Sequence, residues 1–423
     1  MSSRALRPKS RLLLLCLGVF VSACAAPGPE VGADPIRIGV VVSLSGGAGE
    51  FGPSLLQAAQ LVEREVAAAG GLLGGRPVEI VFADDRTEVD QAVRVARQLI
   101  EEEGVVAIIG PLISGATLAV AEVTQAAQIP QISCCATSED LTAAQPTDNR
   151  FLFRTVPSDL LQAQVSARYA ADNCQRLSIL HLDDAYGNPF AASLVSVFES
   201  LATGEQSVST PIPFAPGRAN YAAEVTQLAG ENPDCIALIA FAEEGGFILR
   251  DWSQLADAPD VTWIGSDGLK NDDFPANAGS AANVDGVVGT APISEPDSNA
   301  FNTFADNFRA TYTDNPGAFG TQQYDAMMVL VLAIEHAGST DGAAIRDSLF
   351  QVSSDPGEVF EPGELAGALE IIREGGAINY EGASGPVDFD AQGNIVADYE
   401  IWRFDAAMDG YVTQQVVRAS ELQ

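Results

Sequence analysis

The chain alternates strand and helix through its first half and then does so again. No other feature limits its fold so sharply. Ile36 to Val42 is a continuous apolar run, as expected of a strand covered on both faces. Phe51 to Ala69 places Leu55, Ala59, Val62 and Val66 at helical spacing and stops at Gly70-Gly71. Val78 to Phe82 reads as a second strand. Glu88 to Glu102 reads as a second helix with Val89, Ala92, Val93, Ala96 and Ile100 inward. Val105 to Ile109 is a third strand, Ser114 to about Gln128 a third helix, and Ile132 lies in a short fourth strand. This order predicts a parallel, doubly wound α/β sheet.

The pattern restarts after Arg154-Thr155-Val156-Pro157. Helices are expected at Ser158–Asp172, Phe190–Leu201, Tyr221–Ala229 and Glu244–Leu255, and strands at Leu177–Leu182, Ser207–Ile212, Cys235–Ala240 and Val261–Ile264. Two similar α/β halves predict a two-lobed protein. The last third is mixed. Helices fit Asn299–Tyr312, Gln322–Ala337, Gly342–Leu349 and Glu364–Arg373, Ser353–Gly363 reads as loop, and Val387–Phe389 and Tyr399–Phe404 read as strands.

The first 23 residues read as a segment to be removed. Arg4, Arg7, Lys9 and Arg11 form a basic start, Leu12 to Ser22 is an apolar run too short to span a bilayer stably, and small residues follow. The ending Val21-Ser22-Ala23-Cys24 resembles a bacterial lipobox, whose cysteine is acylated and becomes the mature N-terminus. Residues 1–23 are therefore expected to be a lipoprotein signal peptide and 24–34 a flexible tether, carrying Pro27, Gly28, Pro29 and Gly32. A buried N-terminal helix is the alternative. Export follows, to the periplasm or cell surface, with the protein held on a membrane by lipid at Cys24.

The mature chain would carry 18 Lys+Arg against 57 Asp+Glu, a net charge near −39. Nucleic acid and anionic lipid surfaces are poor partners for such a body. Of six cysteines, Cys16 leaves with the leader and Cys24 takes lipid. Cys134, Cys135, Cys174 and Cys235 remain in an oxidising compartment, where an even number suggests pairing. No metal-ligand spacing is evident, the only histidines are His181 and His336, and neither metal nor cofactor is expected. His181, at a strand end, reads as structural. An enzyme is disfavoured too. There is no GxSxG or Walker motif, and the glycine-rich Gly70–Gly75 follows a helix rather than linking strand to helix.

An ordered set of short motifs resembles the bacterial leucine/isoleucine/valine-binding protein family, the substrate-binding proteins of ABC importers. These are Ile36 to Gly47 followed by Phe51-Gly52, Asp84-Asp85, Ile108-Ile109-Gly110-Pro111 with Ser114, Ile129 to Ser133 with Ala136-Thr137-Ser138, Phe153-Arg154-Thr155, Tyr186-Gly187, Gly265-Ser266-Asp267-Gly268, Tyr324-Asp325-Ala326 and Gly382 to Val387. The resemblance covers residues 35–405. It implies a type I periplasmic binding fold, two lobes joined by three hinge crossings with ligand between them. The crossings are expected near Thr155–Pro157, Val288–Pro292 and Pro386–Ala391. The first lobe would then hold 35–155 plus 291–386, the second 156–290 plus 387–423.

The resemblance also implies a site. Ser114 opens a helix, so its hydroxyl and the N–H groups of Gly115 and Ala116 would hold a carboxylate at a positive helix end. The alternative is a plain N-cap. The Thr137 hydroxyl and N–H would join it, and the carbonyl near Cys135, beside Ala136, would accept from an ammonium. The alternative for Thr137 is a cap before Glu139. Asp267 would pair with the ammonium where leucine-type relatives carry a longer Glu; otherwise it sits in a surface turn. Tyr186 would close over the ligand. Phe51 and Phe241 fall where the family uses pocket aromatics and otherwise read as core. Cys134-Cys135, where relatives carry small residues or Pro, are expected as buried thiols, the alternative being a vicinal disulfide. Cys174 and Cys235 begin the first and third strands of the second lobe, neighbours in a doubly wound sheet, and a bridge is expected between them. The expected function is an extracytoplasmic solute-binding lipoprotein of an ABC importer, capturing an amino acid (branched-chain or similar) for a membrane permease. The alternative is a sensing or regulatory lipoprotein of the same fold that takes an amide, urea or small acid.

Overall fold

Ile36–Val42 forms strand β1, and every side chain in it but Arg37 is buried, because helices cover both faces of its sheet. The computed structural model describes Met1, residues 34–295 and residues 297–422. Apart from Met1, the expected signal peptide, Cys24 and the tether as far as Ala33 lie outside these residues. β1 is followed by α1 (Gly52–Ala68), β2 (Val78–Asp84), α2 (Val89–Glu101), β3 (Ile108–Ile109), α3 (Ser114–Ala127), β4 (Gln131–Ser133), α4 (Asp140–Ala143) and β5 (Leu152–Arg154). The five strands pair in the order β2-β1-β3-β4-β5, all parallel.

A second unit repeats the scheme with α5 (Asp159–Asn173), β6 (Arg176–Leu182), α6 (Gly187–Leu201), β7 (Ser207–Val208), β8 (Ile212–Phe214), α7 (Ala222–Gly230), β9 (Cys235–Ile239), α8 (Ala242–Ser253), β10 (Thr262–Gly265), α9 (Phe274–Asn277) and β11 (Val288–Pro292). The chain returns to the first lobe as α10 (Asn299–Tyr312), α11 (Gly320–Ala337), α12 (Gly342–Val352), β12 (Glu358–Phe360), α13 (Leu365–Arg373), β13 (Ile378–Gly382) and β14 (Gly385–Pro386). It ends in the second lobe as β15 (Tyr399–Asp405) and β16 (Gly410–Val417). The second sheet runs β16-β15-β11-β10-β9-β6-β7, with β8 also on β6. Its pairings are parallel except for β11–β15 and β15–β16, so β15 alone runs against the rest. This is the two-lobed α/β architecture expected from the alternation.

Each lobe has its own apolar core. α11 is the spine of the first, buried from Gly320 to Glu335. Inside it Asp325 accepts from Tyr380 Oη at 2.7 Å and Ala383 N at 2.8 Å on one oxygen, and from Ser384 N at 2.8 Å and Ser384 Oγ at 2.5 Å on the other. These bonds latch the β13–β14 hairpin onto the helix, and a Cβ at Gly382 would lie 2.4 Å from the carboxylate. In the second lobe β6 and β9 are neighbours. Cys174 and Cys235 are bridged across them, Cα to Cα 5.8 Å.

Several elements differ from the sequence reading. Pro211 has no N–H for a ladder, and the run Ser207–Ile212 splits into β7 and β8. Ser353–Gly363, expected as loop, contains β12, which pairs with β13. Val387–Phe389, expected as a strand, lies in no ladder. Its apolar side chains fill the first core, with Phe389 edge-on to Phe153 at 5.2 Å between ring centres. The lobe boundaries shift accordingly. Residues 288–292 are β11 of the second sheet, so the second crossing begins after Pro292 rather than within that segment. The third crossing comes near 396–398 rather than 386–391, because Val387, Phe389 and Ile395 stay with the first core. The crossings touch one another. Ile293 N donates to Asp398 O at 3.0 Å, Tyr399 Oη donates to Ser158 O at 3.0 Å, and Arg418 bonds both Glu295 at 2.6 Å and Asp398 at 2.5 Å.

Candidate ligand-binding site

In an open parallel sheet, ligands bind beyond the carboxyl ends of the strands where the winding direction reverses. Here that point falls between β1 and β3 in one lobe and between β6 and β9 in the other. The loops leaving those four strands carry Phe51, Ser114, Tyr186 and Phe241. The topology thus selects four of the residues that the sequence had picked out.

On the first lobe, Asp84 and Asp85 fix the loop after β1. Leu44 N at 2.9 Å and Ser45 Oγ at 2.7 Å donate to Asp84, and Ser43 Oγ at 2.7 Å donates to Asp85. Gly52 then packs so close to Ser43 that a Cβ would sit 2.0 Å from its carbonyl. Phe51 is thereby pinned and buried. After β3, Gly110 has φ +96° and lies against Val41 O, where a side chain has no room. Ser133 Oγ donates to Pro111 O at 2.8 Å and accepts from Ala136 N at 3.1 Å. That one hydroxyl ties the loop after β4 to the start of α3. Ser114 Oγ accepts from Ser138 N at 3.4 Å. Ser114, Gly115, Cys135, Ala136 and Thr137 therefore form one wall, at a helix end whose first N–H groups have no intrahelical partner.

Cys134 and Cys135 are bridged to each other, with Cα atoms 3.7 Å apart. This corrects the expectation of free thiols. Successive side chains on a strand point to opposite faces, but these two residues lie in the bend after β4, not in its ladder.

On the second lobe, Asp184 accepts from Tyr186 N at 3.0 Å and Gly187 N at 2.8 Å, which sets the turn into α6. Tyr186 Oη donates to Asp267 Oδ1 at 2.6 Å. Its ring stacks on Phe241 at 5.6 Å, inclined by 23°. Phe241 meets Phe51 of the other lobe edge-on at 6.3 Å, and Phe51 meets Phe319 at 5.9 Å. An aromatic chain thus crosses from lobe to lobe. Ser193 Oγ donates to Glu139 at 3.1 Å across the same gap. Asp267 is 4 % exposed and so is not in a surface turn. Burial pushes its carboxyl above the usual range, while Tyr186 and Gln162 favour the charged form.

A cleft of about 680 Å³ opens along one flank, lined in part by Asp267, Lys270, Phe319, Gln322, Glu400 and Tyr411. Phe319 belongs to both the cleft and the aromatic chain, and Asp267 joins the cleft to that chain through Tyr186, whereas Ser114 and Thr137 lie outside the cleft's wall. Sequence reasoning missed Phe319. It sits at φ +60° just before α11, five residues ahead of the Tyr324-Asp325-Ala326 motif that could have flagged it. It also missed Asp159, which reads as an ordinary first-turn acid of α5. Asp159 is 1 % exposed, and its N–H donates to Thr137 O at 2.8 Å. His181 is buried at the end of β6, and burial lowers its pKa; Nδ1 lies 2.9 Å from Leu182 O, which suits a structural role.

The family model described as periplasmic binding protein matches residues 35–398. The Leu/Ile/Val-binding protein BraC3 of Rhizobium johnstonii is 30 % identical over 335 residues, 78 % of this chain and 87 % of that protein. The substrate-binding protein BasB of a chemotactic signal transduction system in Halobacterium salinarum is 27 % identical over 408 residues, 91 % of this chain and 90 % of that protein. Among solved structures, a leucine-binding protein from Thermotoga maritima superposes with a TM-score of 0.77 at 23 % identity, covering 91 % of this chain and 99 % of that one.

Proposed function

The chain belongs to the leucine/isoleucine/valine-binding family of periplasmic binding proteins, a family of binders rather than enzymes, and on that premise we propose that it captures an amino acid between its lobes and delivers it to an ABC permease. The observation that carries this reading is the division of polar groups between the lobes. Donors suited to a carboxylate, Ser114 at the start of α3 and Thr137 in the loop after β4, stand on one lobe. A buried acid suited to an ammonium, Asp267, stands on the other. A zwitterion bridges the two and favours the closed state over the open one. The aromatic chain from Phe51 to Tyr186 supplies a surface for an apolar side chain.

A melting-temperature panel of amino acids, their amides and benzoate-type acids tests the reading, since a ligand at 100 times its Kd adds about 2.7 kcal/mol. Branched-chain amino acids are expected to give the largest shift. Neutral amides or aromatic acids giving the largest shift would refute it. A sensory role is the second reading. The similarity to BasB over nine-tenths of the chain favours it, and failure of the protein to stimulate ATP hydrolysis by any importer of its host would support it. In both roles we place the mature N-terminus at Cys24, lipid-bearing. Cys24→Ser should leave the protein uncleaved or soluble, and an unmodified mature form with no lipid mass would rule the anchor out.

A further inference from the structure

Asp159 is the first residue of α5, where the chain enters the second lobe. It is 1 % exposed, and neither of its carboxylate oxygens has a hydrogen-bond partner. One turn on, Gln162 is fully buried. Its Nε2 donates to Thr290 O at 2.9 Å, and its Oε1 has no partner. A buried ionised carboxylate with no donors costs several kcal/mol. Three orphaned acceptors on one helix turn therefore call for something with N–H groups and positive charge.

The obvious internal candidate does not fill that role. Arg154 is buried nearby, but its bonds go to Asn394 Oδ1 at 2.8 Å, the Thr137 and Ser138 carbonyls at 2.9 Å each, and Thr142 Oγ1 at 2.9 Å. All are uncharged oxygens. The groups facing Asp159 come from five elements: Asp267 after β10, Arg154 of β5, Thr137 and Glu139 in the loop after β4, Tyr186 ahead of α6, and Tyr399 of β15. Apart from burial, the charge of Asp267 acts on it most strongly, and Arg154 offsets it only in part. The Thr137 hydroxyl comes close enough to favour the charged form, without completing a hydrogen bond.

We propose that Asp159 is a second carboxylate of the ligand site, sharing the solute's ammonium with Asp267, and that one proton leaves the pair for solvent when the ammonium enters. The inference rests on the amino-acid reading above and deepens it. Two carboxylates that share a water-poor site cannot both ionise cheaply, so the ligand-free closed site holds one proton between them. An ammonium brings one positive charge and three N–H donors. It lets both acids ionise, and the displaced proton passes to buffer. The site then prefers a primary ammonium over a quaternary one, which has the charge but no donors. Binding weakens as pH falls, because a second proton closes the pair to the cation.

The test is calorimetry with L-leucine at about pH 7 in two buffers of different ionisation enthalpy, phosphate and Tris. The slope of observed heat against buffer enthalpy counts protons. The unmodified protein should release between one half and one proton. Asp159→Asn should release none and bind leucine about tenfold or more weakly, while binding of 4-methylpentanoate, the same acid without its amine, stays unchanged. Asp267→Asn should abolish the release as well, which keeps the test alive if Asp159→Asn fails to fold. A zero slope in the unmodified protein overturns the proposal. So does a slope that persists in Asp267→Asn. An Asp159→Asn protein that melts at a lower temperature yet keeps the affinity and the slope would make Asp159 only a counter-charge to Arg154. If leucine gives neither heat nor thermal shift in the unmodified protein, the amino-acid reading itself fails and this inference falls with it.

Discussion

Asp267→Asn changes one charge and almost no shape. The amide oxygen still accepts the Tyr186 hydroxyl, which lies 2.6 Å from Asp267 Oδ1, so the aromatic wall stays in place. What disappears is the charge-assisted bond to an ammonium, worth about 1.5–3 kcal/mol, or roughly a tenfold to 150-fold rise in Kd. Asp267→Ala should cost more. It also leaves the Tyr186 hydroxyl, on a ring 4 % exposed, without its acceptor in the closed state, for about 1–3 kcal/mol further. Calorimetry on both ligands and both proteins closes a thermodynamic cycle. Leucine should lose affinity in Asp267→Asn, whereas 4-methylpentanoate should hold or gain, because the substitution removes a buried charge that this ligand cannot pair. The coupling energy should therefore be about 1.5–3 kcal/mol. Equal losses for the two ligands would show that Asp267 does not meet the ammonium, and the split of donors and acceptors between the lobes would no longer explain recognition.

Four further outcomes are expected. Thr137→Ala should weaken leucine binding by roughly tenfold or more, measured by the same calorimetry; an unchanged Kd would reduce Thr137 to a cap. Saturating leucine should shrink the radius of gyration in X-ray scattering, and an identical curve with and without ligand would argue against lobe closure. Replacing Cys174 and Cys235 by serine frees a loop of 61 residues and should lower unfolding stability by about 4 kcal/mol on the chain-entropy account; urea unfolding at constant slope measures it. Asp325→Ala should cost about 3 kcal/mol or more, since each buried donor left unsatisfied costs about 1–3 kcal/mol and four donors lose their acceptor inside the first core. A loss below 1 kcal/mol by urea unfolding would mean the latch contributes little.

Long buried elements were legible in the sequence because their burial dictates composition. β1 and β9 are nearly continuous apolar runs, and α1 carries its inward residues at the expected helical spacing. On α2 only Ala92 and Ala96 of the expected inward set are buried, Val93 and Ile100 are partly so and Val89 is exposed, because the buried face turns toward Val95 and Leu99. The Cys174–Cys235 bridge followed from strand order alone. Elements stabilised by partners remote in sequence were not legible. β12, β13 and β14 are short, and they are fixed by pairing and by the Asp325 latch rather than by their own pattern. Val387 and Phe389 have the apolar alternation of a strand but use it to plug a core. The same contrast holds at the site. Ser114, Thr137, Tyr186 and Asp267 sit in motifs tied to strand ends, so the strand order fixes their place. Asp159 looks like any acid in a first helical turn, and only its burial and its orphaned oxygens single it out. The adjacent cysteines were expected as thiols because neighbours in sequence bridge only with unusual peptide geometry, and the bend after β4 that brings them together leaves no mark in their own pattern.

The three crossings between the lobes are bonded to one another through Ile293, Asp398, Tyr399 and Ser158. A single tether would let one lobe swivel, twist and slide against the other. Three tethers fastened side by side leave one easy motion, rotation about the line they define, like a door on several pins. If the protein works as proposed, every solute the cleft accepts draws the lobes along that same arc. The outer surface offered to the proposed permease would then be one shape whatever lies inside. Solutes differ in how long they hold the door shut, and a partner that reads only shape can accept several of them without recognising any.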